Sequence, residues 1–433
     1  MSISPKKGNS FCWLPFQQLA LKQWNQTKGI VSAAPCCNTL RPGYDDPLGI
    51  KNKLHEDISA EDIFYGPEMS ELRQWMLKGK KHPVCRVCWE QERRSFHPKN
   101  SYRLHSQPTE NVDINNPVLK GIDFGFGENC NLRCRMCSPY SSNKLMLDYQ
   151  YFVNNKLDTS GIFGFEWEKN KDFKFAKNRH QITTGWKNGK QWHGILDNIH
   201  NLTYIKATGG ETFLTEGFIQ FIDTAIEKDV AKNITLECHT NATKFTTDQI
   251  NKLNCFKNLH ITASIDSTGK NYEYIRYPML WKNLDHSVRS LCKNIKVPTK
   301  LSVNVVLGII NAHYMKLIVD WVANLSTQYT NIKFDMFTDI LFPEERPISL
   351  KRIPPEIKKD LLQELKELQK LKLHKNYCIN FQQAIDYYNS TINYIPTDQD
   401  KADVIRDLTV FDKSRNQNYH DYLHTDIINW LDS

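Results

Sequence analysis

The chain has 433 residues, 40% of them hydrophobic and 24% charged, with a formal net charge of +8. That balance is ordinary for a folded globular protein, excludes a low-complexity or collagen-like chain, and gives enough length to bury a core without disulfides. No run approaches the roughly 20 apolar residues of a spanning helix, and the polar stretch Met1–Gly8 leads into no apolar run, so the expected location is the cytoplasm, away from membranes.

Residues 1–110 consist of short patterned pieces broken by Pro35, the Arg41-Pro42-Gly43 turn, Gly66-Pro67 and His82-Pro83. One helix is expected over Glu68–Lys78, where Met69, Leu72, Trp75 and Met76 fall at helical spacing. From Leu119 the texture changes to strands alternating with helices. Strands are expected at Lys120–Phe126, Leu202–Thr208, Ile234–His239, His260–Ile265, Leu301–Leu307 and Ile332–Phe337, with helices around Phe218–Ile226 and Tyr314–Leu325. Such alternation implies a parallel sheet, either doubly wound or curled into a barrel. The stretch of about 139–201 is too long for a simple connection and reads as an insertion, either a functional lid or a peripheral decoration. Beyond Phe337 the pattern turns helical, with Pro354-Pro355 opening a helix striped by Ile357, Leu361, Leu365 and Leu368.

The chain carries 12 cysteines. In a reducing compartment they do not form a disulfide framework, so their clusters read as metal or redox sites. Cys238, Cys255, Cys292 and Cys378 stand singly and read as small hydrophobes. Cys85-Arg-Val-Cys88 is a metal half-site that Cys12 and Cys36, or Cys37 as the alternate to Cys36, can complete to four thiolates. A metal staple suits a segment too irregular to fold on core packing alone. The densest cluster is Cys130-Asn-Leu-Arg-Cys134-Arg-Met-Cys137, directly after the first strand of the alternating series. Four ligands close a structural zinc site, and most iron–sulfur clusters also take four cysteines. Three leave one coordination position open for a substrate or cosubstrate.

Cys130-x3-Cys134-x2-Cys137 after a leading strand resembles the radical S-adenosylmethionine (radical SAM) superfamily. The likeness continues at Thr208-Gly209-Gly210-Glu211-Thr212, which resembles that superfamily's Gly-Gly-Glu-Pro signature with Thr212 in place of proline. Two weaker echoes follow, Thr240-Asn241-Ala242 and Ser264-Ile265-Asp266-Ser267 with Tyr272–Arg276. Met136 stands where many members have an aromatic residue. The resemblance covers about residues 118–340 and implies a partial (βα)6 TIM-like barrel with its site at the carboxyl ends of the strands. It implies a 4Fe-4S cluster on Cys130, Cys134 and Cys137 that binds S-adenosylmethionine through the methionyl amino and carboxylate groups. Gly209, Gly210 and Glu211 are then expected at the ammonium, Ser264 and Arg276 at the carboxylate, and Asn304 at the ribose.

The N-terminal cysteines resemble the SPASM or twitch auxiliary modules of the same superfamily, although such modules normally follow the barrel. The resemblance implies an auxiliary 4Fe-4S cluster on Cys12, Cys36, Cys85 and Cys88; zinc serves a four-thiolate site equally well. The expected organisation is a cysteine-rich module over 1–110, a barrel over 118–340 and a helical C-terminal region over 341–433. The implied activity is reductive cleavage of S-adenosylmethionine to a 5′-deoxyadenosyl radical that abstracts hydrogen from a substrate, a peptide or protein in the leading reading. A reductant such as flavodoxin or ferredoxin is the implied partner, and no catalytic residue is assigned beyond the cofactor site. A second class of reading is a zinc-stabilised RNA-binding protein, motivated by the basic balance and the Lys- and aromatic-rich stretch around 163–192. A radical enzyme acting on RNA or a small molecule differs only in substrate.

Overall fold

The computed structural model of the chain describes residues 4–6, 9–25, 30–39, 48–50, 58–93, 101–107, 112–164, 190–341, 344–371 and 375–433. Most of the basic, aromatic stretch around 163–192 therefore lies outside the described residues. The chain divides into two compact units: Met1–Asn129, Ile182–Cys238 and Lys252–Leu259 make the first, and Cys130–Gln181, His239–Asn251 and His260–Ser433 the second. Both are α/β, and nine strands occur among the described residues.

In the first unit the strands are β1 (Gln18–Asn25), β2 (Ile30–Ala34), β3 (Gly121–Gly125), β4 (Tyr204–Thr208) and most of β5 (Thr235–Thr240), in the order β2-β1-β3-β4-β5. β1 pairs antiparallel with β2, and the pairs β1–β3, β3–β4 and β4–β5 are parallel. β3 is buried along its whole length, as a parallel strand covered on both faces must be. Its Phe124 joins Phe126, Trp192, Phe218 and Phe221 in an aromatic cluster with ring centroids 5.2–6.1 Å apart. The end of the long insertion thus has a packing role: helix Lys190–Asp197 delivers Trp192 to this core, with its indole N–H bonded to Gln220 at 2.8 Å. Asp123, Lys206 and Glu237 stand in register across β3, β4 and β5, and the Lys206 ammonium lies 3.8 and 3.7 Å from the two carboxylates.

The second unit holds most of β6 (Asn258–Ser264), then β7 (Thr299–Leu307), β8 (Ile332–Ile340) and β9 (Tyr377–Asn380), in that order, with β7–β8 and β8–β9 parallel. Its helix Leu145–Asn154, the first part of the insertion, packs against the C-terminal helix Asp398–Arg415 through Leu145, Met146, Tyr149, Phe152, Phe163, Val410 and Phe411. The two helices are also joined by a fully buried pair, Arg415 to Asp148 at 3.0 Å. A buried charge pair of this kind specifies a docking geometry more than it stabilises one.

The alternating strands occupy their expected places within two or three residues. The N-terminal region differs from its irregular expectation, because β1 and β2 extend the sheet. β1 is anchored by its parallel pairing with β3, about a hundred residues downstream, which no local pattern encodes, and β2 pairs in turn with β1. Among the described residues no helix is long and apolar enough to cross a membrane.

Candidate functional site

The loop after β3 turns through Gly127, at φ +91°, and runs to the cysteine triplet. Gly209 and Gly210 follow β4, the strand beside β3. Gly210 N–H donates to Gly127 O at 2.8 Å, and Glu211 N–H donates to Asn129 O at 2.7 Å. A Cβ on Gly210 would meet Asn129 O at 2.5 Å and the Glu128 and Asn129 carbonyl carbons at 2.7 Å. The missing side chain therefore makes room for the chain's own backbone, the segment leading into Cys130. The Glu211 carboxylate is 3% exposed and accepts the Phe213 N–H at 3.1 Å. Gly210→Ala is expected to lower the unfolding free energy by about 1–3 kcal/mol, since backbone cannot yield cheaply. Urea denaturation checks this.

In the second unit, Cys130 and Cys134 are buried and Cys137 is partly so. Asn241, just past β5, points its side-chain amide at Cys130 Sγ at 3.7 Å and donates to Asn131 Oδ1 at 2.7 Å. Arg276 Nη1 reaches Cys134 Sγ at 3.8 Å. The guanidinium is aimed by Asp266, a fully buried carboxylate 2.7 Å from Nε, whose other oxygen accepts the Val306 N–H at 2.9 Å. Burial alone would pull the Arg276 pKa down, but Asp266 and the two neighbouring thiols outweigh it and raise it. Arg276 is thus a permanent cation beside the sulfurs, and N–H groups aimed at sulfur stabilise thiolate and tune whatever it ligates.

A clamp stands behind the loop. Arg346 donates to the carbonyls of Met136 and Arg135 at 2.8 and 2.9 Å, and Arg135 reaches Asp412 at 2.5 Å while lying 3.6 Å over the Tyr274 ring. Met136 packs on Gly308, where a Cβ would meet its Cε at 3.1 Å. Ser264 ends β6 half-buried. Asn304, on β7, donates to Asp339 at 3.0 Å, while its own Oδ1 is buried without a hydrogen-bond partner. Asp266 and Arg346 escaped sequence reasoning. Asp266 had a signal, in its position two residues after Ser264; Arg346 had none, being 210 residues from the carbonyl it holds.

The N-terminal cysteines meet within the first unit. The β1–β2 hairpin pairs Ala20 with Ala34, so Cys12 before β1 and Cys36 after β2 emerge at the same end. Cys85 closes the turn Pro83–Cys85, and Cys88 sits in the first turn of helix Arg86–Arg93. Cys12, Cys36, Cys85 and Cys88 together line one small pocket, walled otherwise by Leu14, Pro15, Pro35, Met76, Val87, Tyr102 and Arg103. Cys37 instead lies near Lys206 and Tyr102. Burial pushes the Cys12 thiol up to about 11 and raises Cys36, Cys85 and Cys88 as well. Arg103, held by Glu92 at 2.8 Å and stacked over Trp89, is the cation that favours the thiolates of Cys12, Cys85 and Cys88. Four desolvated thiols become thiolates together only when a metal centre supplies the compensating charge. Among the described residues, the one group of three or more His, Cys or carboxylate ligand atoms mutually within 4.8 Å is His313, His424 and Asp426.

No protein-family model matches the chain, and no curated protein matches it. Solved structures do. It is similar to Streptococcus suis SuiB bound to S-adenosylmethionine, with 11% identity over 60% of this chain and 50% of that one, at a TM-score of 0.35. It is similar to the same protein bound to precursor peptide SuiA, with 13% identity over 89% of this chain and 66% of that one, TM-score 0.38. It is similar to native anSMEcpe with bound AdoMet, with 14% identity over 58% of this chain and 61% of that one, TM-score 0.36. The chain spans about half the length of the first of these.

Proposed function

We propose that this chain is a radical S-adenosylmethionine enzyme acting on a peptide or protein. The observation that carries the reading is the Cys130/Cys134/Cys137 loop, with two of its sulfurs faced by N–H donors from Asn241 and Arg276. The donor set fits a cluster with three protein ligands: buried, sulfur-only, and backed by a fixed cation. With S-adenosylmethionine bound, such a 4Fe-4S cluster supplies a 5′-deoxyadenosyl radical able to take hydrogen from the substrate.

The chain's own residues bind and orient. Cys130, Cys134 and Cys137 hold the cluster, and Asn241 and Arg276 stabilise thiolate charge. Arg346 fixes the loop's carbonyls and hence its shape. Glu211, following Gly209 and Gly210, is the acceptor assigned to the methionine ammonium; Ser264 and Arg276 serve its carboxylate. Asn304 offers its unpartnered Oδ1 to a ribose hydroxyl. The barrel over 118–340, the cysteine module over 1–110 and the helical region over 341–433 belong to the same reading, as do a cytoplasmic location and a flavodoxin- or ferredoxin-like reductant.

For the N-terminal site we assign an auxiliary 4Fe-4S cluster on Cys12, Cys36, Cys85 and Cys88. Tetrahedral zinc, at about 2.3 Å from each sulfur, holds sulfurs about 3.8 Å apart. Zinc at the same four thiolates is the alternative, and iron, zinc and sulfide content separates the two. The peptide or protein substrate follows from the likeness of this module to SPASM and twitch modules. Iron, zinc and acid-labile sulfide are measured per chain after anaerobic reconstitution. About eight iron and eight sulfide are expected, together with 5′-deoxyadenosine on addition of S-adenosylmethionine and dithionite. Zinc without sulfide would overturn the proposal in favour of a metal-stabilised binding protein.

A further inference from the structure

Away from the cysteines, three side chains of the second unit converge in a way neither the fold nor the proposed chemistry uses. His313 lies in the turn Ala312–Tyr314 that leads into helix Met315–Gln328. His424 caps helix Thr425–Asp432, and Asp426 lies in that helix's first turn. The two imidazoles stack with centroids 4.1 Å apart and planes 5° from parallel. Nε2 of His313 and Nδ1 of His424 face one and the same atom, Oδ2 of Asp426, at 3.4 and 3.3 Å.

We propose that His313, His424 and Asp426 bind a divalent transition-metal cation, zinc by preference, which clips the C-terminal helix onto the turn at 312–314. Two imidazoles and a carboxylate form a borderline nitrogen–oxygen set of the kind zinc takes, with a fourth position left for water. Ligand distances of about 2.0–2.1 Å put tetrahedral ligand atoms about 3.3 Å apart. All three ligand atoms here already lie within 4.8 Å of one another, so closure needs small side-chain movements, with His424 Nδ1 exchanging its 3.3 Å cap on the Asp426 N–H for the metal. The imidazole planes must fan apart for their lone pairs to converge. The side chains of His424 and Asp426, 41% and 53% exposed, have the freedom to do so, whereas His313, at 10%, forms the fixed inner wall.

The surrounding charge suits a dication. Asp360 lies near His313 and Glu364 near His424; Lys316, beside Glu364, is the neighbouring cation. The backbone that presents the ligands is held independently of any metal. The Tyr422 carbonyl accepts from Tyr314 Oη at 2.9 Å and Asn271 Nδ2 at 3.0 Å, and its ring stacks on Tyr274 at 4.7 Å. The backbone carrying the ligands is therefore held in place, and the metal need not order a loose tail.

The test uses the full chain with its cysteine sites first filled by anaerobic reconstitution, then titrated with zinc chloride. The expected result is one additional zinc per chain whose X-ray absorption spectrum shows nitrogen and oxygen neighbours only. The thermal unfolding midpoint should rise as that zinc binds. Asp426→Asn should weaken this zinc roughly tenfold or more, and His424→Gln should abolish it, both with unchanged iron content and circular dichroism. Zinc carrying sulfur neighbours alone, no zinc uptake, or uptake that both variants leave unchanged overturns the proposal and leaves a hydrogen-bonded His–Asp cluster. Because the readout is nitrogen–oxygen zinc, it stands or falls separately from radical chemistry at the cysteine triplet.

Discussion

Alanine at Cys130, Cys134 and Cys137 together is expected to abolish 5′-deoxyadenosine formation from S-adenosylmethionine, to the level of a no-enzyme control. The size of the effect follows from what the sulfurs face. Cys130 and Cys134 are buried under N–H donors from Asn241 and Arg276, and no other cysteine of the second unit stands in that loop to replace them. Arg276 is then left as a buried cation with only Asp266 beside it, so the pocket stays polar but has nothing to ligate with. The measurement is chromatography of 5′-deoxyadenosine after anaerobic incubation with dithionite. Cleavage that persists in the triple variant sinks the assignment. Circular dichroism of the variant guards against loss of the fold, because the loop's shape rests on Arg346 and Arg135 rather than on the thiols.

Serine at both Cys85 and Cys88 is expected to halve the bound iron, from about eight to about four per chain, and to leave the spectrum of the first cluster unchanged. These two residues supply half of the four-cysteine pocket and share a turn and a helix start, so their loss leaves Cys12 and Cys36 as an incomplete pair. The N-terminal segment suffers more than iron loss. Structural metal sites contribute on the order of 10 kcal/mol to small irregular folds, so faster proteolysis within residues 1–110 is expected. Unchanged iron would mean that this pocket holds no cluster.

The sequence carried the alternating strands well, because parallel strands covered on both faces read as apolar runs of strand length. Gly127 to Cys137 and the Thr208–Thr212 stretch could also be found by eye, since cysteine spacing and paired glycines survive without context. What the glycines are for could not. The sequence suggested room for a ligand's ammonium at Gly210, and the structure puts the Asn129 carbonyl there. β1 was invisible for a related reason: its parallel partner, β3, lies far along the chain, and β2 in turn pairs with β1. The same holds for Arg346 and Asp412, which act on the cysteine loop across 210 and 277 residues. Sequence shows ligands; it does not show what braces them.

That long-range bracing has a consequence for biosynthesis. Arg135, inside the cysteine loop, is tied to Asp412, Gln417 and the Leu408 carbonyl, and the helix beginning at Leu145 is tied to Arg415. On the ribosome, the loop emerges and waits while nearly three hundred further residues are made before its anchor exists. Iron and sulfide delivered during that interval meet three thiols on an unbraced loop. On the proposed reading, assembly of a cluster there is thus a post-translational event, and a nascent chain stalled before residue 412 carries all three cysteines yet lacks the scaffold that sets them.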